Sequence, residues 1–363
     1  MELDQLLEEA VKRGSSDLHI KAGANPFVRI GGELAALPGT SKLTAEDSLR
    51  LASQVLNNRQ KKLLKERNEL DVSYQAPELG RFRVNIFRQR GATSMVFRVI
   101  PDNIPSLSQL NLPPVLEKLC EENRGLILVT GTTGSGKTTT LAAMLDLINE
   151  RQILHVLTIE DPIEFFHHDK KSFVSQREIN VDADSFAIAL RAALRQDPDV
   201  ILVGEIRDVE TAETAMHAAE TGHLVMSTLH TLDATETINR LIALFPPHQH
   251  GQIRIQLASV LKSTISLRLM RSITHNERIP AAEVLINTEF IKSCIVEPEK
   301  TKEIRNAMAA GRSQYGMQTF DQSILDFYNQ GRVTLEEALA YSSNPEEFKL
   351  HIRGIISGSE TLV

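Results

Sequence analysis

The stretch GLILVTGTTGSGKTTTLAAML, residues 125–145, decides the architecture of most of the chain. It opens on an apolar run without alternation, as in a strand covered on both faces. GTTGSGKT (131–138) then meets the pattern G-x-x-x-x-G-K-[ST] at every fixed position, and a helix is predicted to start near Thr138. Gly131, Gly134 and Gly136 let successive backbone N–H groups turn toward phosphate, and the helix N-terminus adds its dipole. The candidate nucleotide site is therefore Gly131, Thr132, Thr133, Gly134, Ser135, Gly136, Lys137, Thr138 and Thr139. Lys137 would reach the β- and γ-phosphates of ATP, and the Thr138 hydroxyl would ligate Mg²⁺. A chance glycine-rich turn is the competing reading.

Three more apolar runs, LHVLTIE (154–160), VILVGEI (200–206) and HLVMSTL (223–229), are separated by helical patterns, which predicts an α/β unit with a parallel sheet. Glu205 closes its run, so its carboxylate should emerge at the carboxyl edge of the sheet, where ligands bind and a metal needs an acid. Asp199 opens the same run and points to the far edge. TIEDPIE (158–164) gathers Glu160, Asp161 and Glu164 around Pro162. A solvated turn would look the same. Beside a phosphate loop the functional reading is preferred, with Glu164 as general base and Glu160 or Asp161 in the outer shell of the metal. His223 and His230 bracket the last run; spacing alone favours a structural role for His223 and a γ-phosphate-sensing role for His230, which shares an edge with Glu205.

The 363 residues are 42% apolar and 24% charged, which excludes a disordered or collagen-like chain, and the net charge of −7 offers nucleic acid no general attraction. Two cysteines, Cys120 and Cys294, support neither a disulfide framework nor a four-thiolate zinc site and suit a reducing compartment. No apolar run approaches the roughly 18 residues of a membrane span. Direct membrane insertion is not expected, so any membrane association should come through a protein partner.

Toward the N-terminus, VRIGGEL (28–34) reads as a strand and turn, and Thr44 with Asp47 reads as a capping box that starts a helix running toward Arg67. Asp71 to Ile100 alternates like strands, with Phe82, Val84 and Ile86 on one face and Arg81, Arg83 and Asn85 on the other. This predicts a small α+β domain. Pro101 and Pro105 mark a linker after it. From about Gln249 the chain reads as mostly helical, QIRIQLASVLKSTISLRLM (252–270) being the longest periodic segment, and 354–363 reads as a frayed tail.

Arg81, Arg83, Arg88, Arg90 and Arg98 share a window that holds no acid. A solvated face, a nucleic-acid strip and arginine fingers acting on a neighbouring subunit's phosphates all fit. Phe82 faces away from the arginines, which weakens the nucleic-acid reading; fingers are preferred, with Arg83 the best candidate.

GTTGSGKTTT, TIEDPIEF, DVILVGEIRD and TGHLVMSTLHT, in this order and spacing, resemble the secretion ATPase superfamily. SSDLHIKAG (15–23) and GMQTFDQSIL (316–325) narrow the resemblance to its pilus-retraction motors. The resemblance implies a homohexameric ATPase that uses ATP and Mg²⁺, with a PAS-like α+β domain at 1–99, a linker at 100–112 and a RecA-like P-loop domain at 113–363. It further implies docking on an inner-membrane pilus platform protein from the cytoplasmic side, with a paralogous retraction ATPase as a further partner. Residue by residue, it makes Glu205 the Walker B glutamate, Glu164 the catalytic carboxylate of the acidic box, and His223 and His230 the histidine box. One departure is EIRNAMAAG (303–311), where such motors carry an AIRNLIRE-like helix; Ile304, Arg305 and Asn306 survive. The alternatives are a pilus-extension or type II secretion ATPase, whose four-cysteine loop two cysteines cannot build, an accessory retraction paralogue, and a nucleic-acid motor.

Overall fold

The computed structural model describes residues 2–77, 79–100, 103–274 and 278–352. The chain forms two compact units. The first runs to Asn103 and takes in Pro162–Phe166; the second comprises Ile104–Asp161 and the chain from His167 onward.

In the first unit, strands β1 (Asp17–Lys21), β2 (Phe27–Ile30), β3 (Glu33–Ala36), β4 (Glu69–Ala76), β5 (Gly80–Gln89) and β6 (Ala92–Ile100) form an antiparallel sheet in the order β3-β2-β1-β6-β5-β4. Alternation sends Phe82, Val84 and Ile86 inward, all fully buried, while Arg81 and Arg83 stay half-exposed on the other face. Leu3, Leu6 and Leu7 of helix Leu3–Lys12 and Leu51 of helix Ala45–Val55 complete that core.

The Thr44 box forms: the Asp47 N–H donates to Thr44 Oγ1 at 3.1 Å and the Thr44 N–H to Asp47 Oδ2 at 2.9 Å. The helix it starts does not run through to Arg67. It stops at Val55, Leu56 turns extended into the core, and Asn57 caps a second helix, Asn58–Arg67, by accepting the Gln60 N–H at 2.9 Å. An asparagine that satisfies an orphan helical N–H here competes with continuing the first helix.

The second unit holds β7 (Gly125–Thr130), β8 (His155–Glu160), β9 (Phe173–Glu178), β10 (Val200–Val203), β11 (Leu224–Leu229), β12 (Leu261–Arg271) and β13 (Arg278–Ile286), in the order β13-β12-β7-β11-β10-β8-β9. All pairings are parallel except that of β12 with β13. Alternate residues of β7 enter different cores: Leu126 and Leu128 join one, Ile127 and Val129 the other. Every residue of the strand is buried, which accounts for its unbroken apolar run.

The helical reading of 252–270 fails in its second half, where helix His250–Val260 gives way to β12. Leu261–Ser266 pairs with β7 on one edge and Ser263–Arg271 with β13 on the other; Lys262, Thr264, Ser266 and Arg268 alternate with Leu261, Ile265, Leu267 and Leu269, a strand period that the helical reading of the whole segment overlooked. The C-terminal part from Gln249 is therefore mixed rather than mostly helical. Of the expected linker, Pro101 and Asp102 lie outside the described residues, and Leu107 and Leu112 are buried in the core of the second unit. The frayed tail at 354–363 also lies outside the described residues. Cys120 and Cys294 are buried free thiols.

Candidate functional site: the phosphate loop and the strand ends beside it

The loop after β7 turns back on itself at Gly131, whose φ is 142°. A Cβ there would run into Ser135 Oγ and stand 2.6 Å from the Leu267 carbonyl oxygen, so no side chain fits. Gly136, with φ of 98°, caps helix Lys137–Arg151 in the left-handed region. Lys137 is buried, and its ammonium donates to the carbonyls of Gly131 and Thr132, both at 2.9 Å. The Ser135 hydroxyl is buried without a hydrogen-bond partner. A buried hydroxyl lacking a partner, an ammonium strung across the loop and a helix N-terminus together fit a polyphosphate. Thr138 sits half-buried in the first helical turn. Among the described residues no group of three or more His, Cys, Asp or Glu side chains is arranged to hold a metal.

The loop lines a cleft of about 760 Å³ with Asp233, Arg268, Arg278, Glu283 and Arg305. Sequence reasoning missed Arg268 and Glu283 because it read their region as helical; the visible signal was a lone acid in the apolar run AAEVLI. Glu283 is fully buried on β13, which pushes its carboxyl up to about 7, against the hydrogen bond it accepts from the Ala234 N–H at 2.9 Å. Arg268 stacks over Phe320 at 3.8 Å and donates to the Tyr341 carbonyl at 2.6 Å. Burial pushes its pKa down. Arg305, on helix Ile304–Ala310, pairs with Asp321 at 2.7 Å.

Glu205 follows the end of β10, tied in place by Gly204 N–H to the Ile159 carbonyl at 2.8 Å and Ile206 N–H to the Thr228 carbonyl at 3.1 Å. Its carboxylate lies 2.6 Å from Arg207 Nε and 3.6 Å from His230 Nε2. Two adjacent parallel strands thus bring Glu205 and His230 to one point. His223 does not join them. It lies at the opposite end of β11, about 20 Å away at a rise of roughly 3.3 Å per residue, with its Nδ1 2.9 Å from the Ala218 carbonyl. Asp199 is at that far edge too, accepting the His155 N–H at 2.8 Å.

Glu160 ends β8 with its carboxylate buried, accepting Thr158 Oγ1 at 2.6 Å and Gln176 Nε2 at 3.1 Å. Asp161 is exposed. Glu164 is exposed on the segment that groups with the first unit, where Arg81 lies over the Phe166 ring at 5.6 Å. The arginine window does have acids, supplied across the sheet: Asp71 on β4 lies 3.8 Å from Arg83 Nε, and Asp17 on β1 lies 3.0 Å from Arg98 Nε. Neither acid falls inside the window, so a linear scan could not pair them.

A parallel sheet that feeds a glycine loop into a helix after β7 and sets an acid at the end of β10, two strands along, defines a P-loop nucleoside triphosphatase. The chain belongs to the type II/IV secretion system protein family, whose model matches residues 1–348. It is 42% identical over 348 residues to the type IV pilus retraction ATPase PilT of Pseudomonas aeruginosa, covering 96% of this chain and 100% of that one. With the type IV pilus ATPase PilU of the same organism it shares 39% over 353 residues, 97% of this chain and 92% of the other. A crystal structure of the pilus retraction motor PilT with bound ADP superposes with a TM-score of 0.89 at 44% identity, over 96% of this chain and 98% of that one. Its α/β fold is therefore a RecA-like ATPase domain preceded by a small PAS-like α+β domain.

Proposed function

We propose that this chain is the ATP-hydrolysing motor of type IV pilus retraction. The observation that carries the reading is the end-to-end similarity to a pilus retraction ATPase, together with a phosphate loop whose buried groups suit a nucleoside triphosphate. In this reading it works as a homohexamer on an inner-membrane platform protein, at the cytoplasmic face and peripheral to the membrane. Among the described residues no helix is long and apolar enough to cross a membrane. Residues 1–99 form the PAS-like domain, 100–112 the connection and 113–363 the motor domain.

Gly131 to Thr139 receive the phosphates of ATP. Lys137 transfers its two hydrogen bonds from loop carbonyls to phosphate oxygens. Thr138 and Glu205 would hold Mg²⁺, with Glu160 and Asp161 as the acids behind them; the ion would supply positive charge against that developing on the transferred phosphoryl. Glu164 takes the proton of the attacking water. His230, beside Glu205, registers whether the γ-phosphate is present, and Arg83 acts on a neighbouring subunit's phosphates. His223 completes the histidine box by resemblance, from the far end of its strand.

A second reading, an accessory retraction paralogue, is favoured by the similarity to PilU and by the altered helix Ile304–Ala310, where Ala309 is small and buried. Purified protein should hydrolyse ATP in the presence of Mg²⁺, and Lys137→Ala or Glu205→Ala should lower kcat by at least about 10³-fold, the scale on which phosphoryl-transfer groups act. Deletion in the source organism should leave abundant pili that do not retract. Undiminished turnover in either variant refutes the site assignment, loss of pili favours an extension motor, and intact twitching favours the accessory paralogue.

A further inference from the structure

The acidic turn leaves the second unit's sheet at Glu160 and returns at His167, both of which belong to that unit and are buried. Asp161–Phe166 thus form an excursion standing on two feet. Gln176, opposite Thr158 in the β8–β9 register, touches both feet with one side chain. Its Nε2 donates to Glu160 Oε1 at 3.1 Å, and its Oε1 accepts the His167 N–H at 2.9 Å. A side-chain amide has one donor end and one acceptor end. Turned over, it would set N–H against N–H and carbonyl against carboxylate, so the two feet dictate its orientation. Asn149 anchors the returning chain further, donating to the His168 carbonyl at 2.7 Å and accepting the Lys170 N–H at 3.0 Å. Asn149 lies on helix Lys137–Arg151, the helix whose first residue is the lysine of the phosphate loop.

We propose that Gln176 is the positioning residue of the acidic turn, orienting the Glu160 carboxylate and setting the separation of the two feet from which Glu164 is presented. This rests on the hydrolytic reading above. Gln176 itself need not touch the nucleotide. Removing its amide leaves the buried Glu160 carboxylate with Thr158 but without the donor that ties it to β9, and takes the acceptor from the His167 N–H, so the two feet lose the side chain that joins them. A displacement of about 1 Å at a reacting group is enough to cost on the order of 10²-fold in rate.

The test uses the full chain. Gln176→Leu should lower kcat roughly 10- to 100-fold, as loss of an outer-shell partner does, while KM and the affinity for N-methylanthraniloyl-ADP, with and without Mg²⁺, stay at wild-type values. Gln176→Glu keeps the acceptor for His167 but opposes Glu160 with a second carboxylate, and should lose more. In a Glu160→Gln background, Gln176→Leu should cost less than it does alone, because the part of its effect that passes through Glu160 is already lost and only the part through His167 remains. Hydrogen exchange in either single variant should quicken at 161–168 and not in the β7–β11 pair. Wild-type kcat in Gln176→Leu, independent losses in the double variant, or unchanged exchange at 161–168 overturns the proposal. A wild-type protein that does not hydrolyse ATP overturns the hydrolytic reading and this role with it, whereas an active wild type with an indifferent Gln176 overturns only the latter.

Discussion

The two sheets handle polar residues in opposite ways. In the first unit β5 alternates, so Phe82, Val84 and Ile86 fill a core while Arg81, Arg83 and Asn85 line an open face along the strand. In the second unit β7 and β11 are buried at every position. On such parallel strands the charged groups Glu160, Glu205 and His230 stand at or just past the carboxyl ends, whereas the antiparallel pair β12–β13 brings Arg268 and Glu283 to the cleft from within its strands. The antiparallel sheet spreads its charges, whereas the parallel sheet concentrates them at one edge.

Three substitutions sharpen that contrast. Phe82→Ala, on the buried face of β5, should destabilise the first unit by about 3–5 kcal/mol, the usual cost of emptying a buried aromatic site; a shift of less than about 1 kcal/mol in denaturant titration would break the account of that face.

Glu283→Gln should change how stability depends on pH. The folded carboxyl titrates near 7, above its ordinary 4.5, so the folded state binds more protons than the unfolded state between those values. Stability gained from the protonated form is complete below about pH 4.5 and is lost as pH rises toward 7 and beyond, amounting to about 3 kcal/mol. The amide keeps an acceptor for the Ala234 N–H and does not ionise near Asp233, so the variant should lose this slope and be the more stable protein at pH 8. Parallel pH profiles for the two proteins would contradict the burial argument.

Arg83→Ala should move stability least, by no more than about 0.5 kcal/mol, since its pairing with Asp71 is long and half-exposed. Its expected effect is on turnover, with nucleotide binding retained. Mixing it with Lys137→Ala protein should restore some activity at hybrid interfaces, and no recovery at any ratio would count against action on a neighbour's phosphates.

Most of the parallel sheet was legible because burial on both faces writes itself as an unbroken apolar run, and the phosphate loop because glycine spacing reflects backbone that no side chain can share. β12 was missed although Lys262, Thr264, Ser266 and Arg268 alternate with apolar residues, because the segment follows directly on a helix. Its apolar residues satisfied a helical period equally well, and its partner β7 lies more than a hundred residues earlier. Glu283 was lost with that misread region. The break at Asn57 was missed because a capping asparagine inside a continuous polar pattern resembles a surface residue of one longer helix. The arginine window looked unpaired only because strand pairing brings Asp71 and Asp17 in from elsewhere in the chain.

By itself the sequence determined the local chemistry: which residues turn, which alternate, which loop can wrap a phosphate, and which acids close their strands. Those properties depend on neighbours a few positions apart, which a linear reading sees. Tertiary structure alone decided that Glu205 comes within 3.6 Å of His230, that Glu283 and Arg268 line the cleft of the phosphate loop, and that one amide on β9 spans both feet of the acidic turn. Such contacts depend on strand order and register, which arise from cooperative packing among distant segments and leave no imprint at any single position.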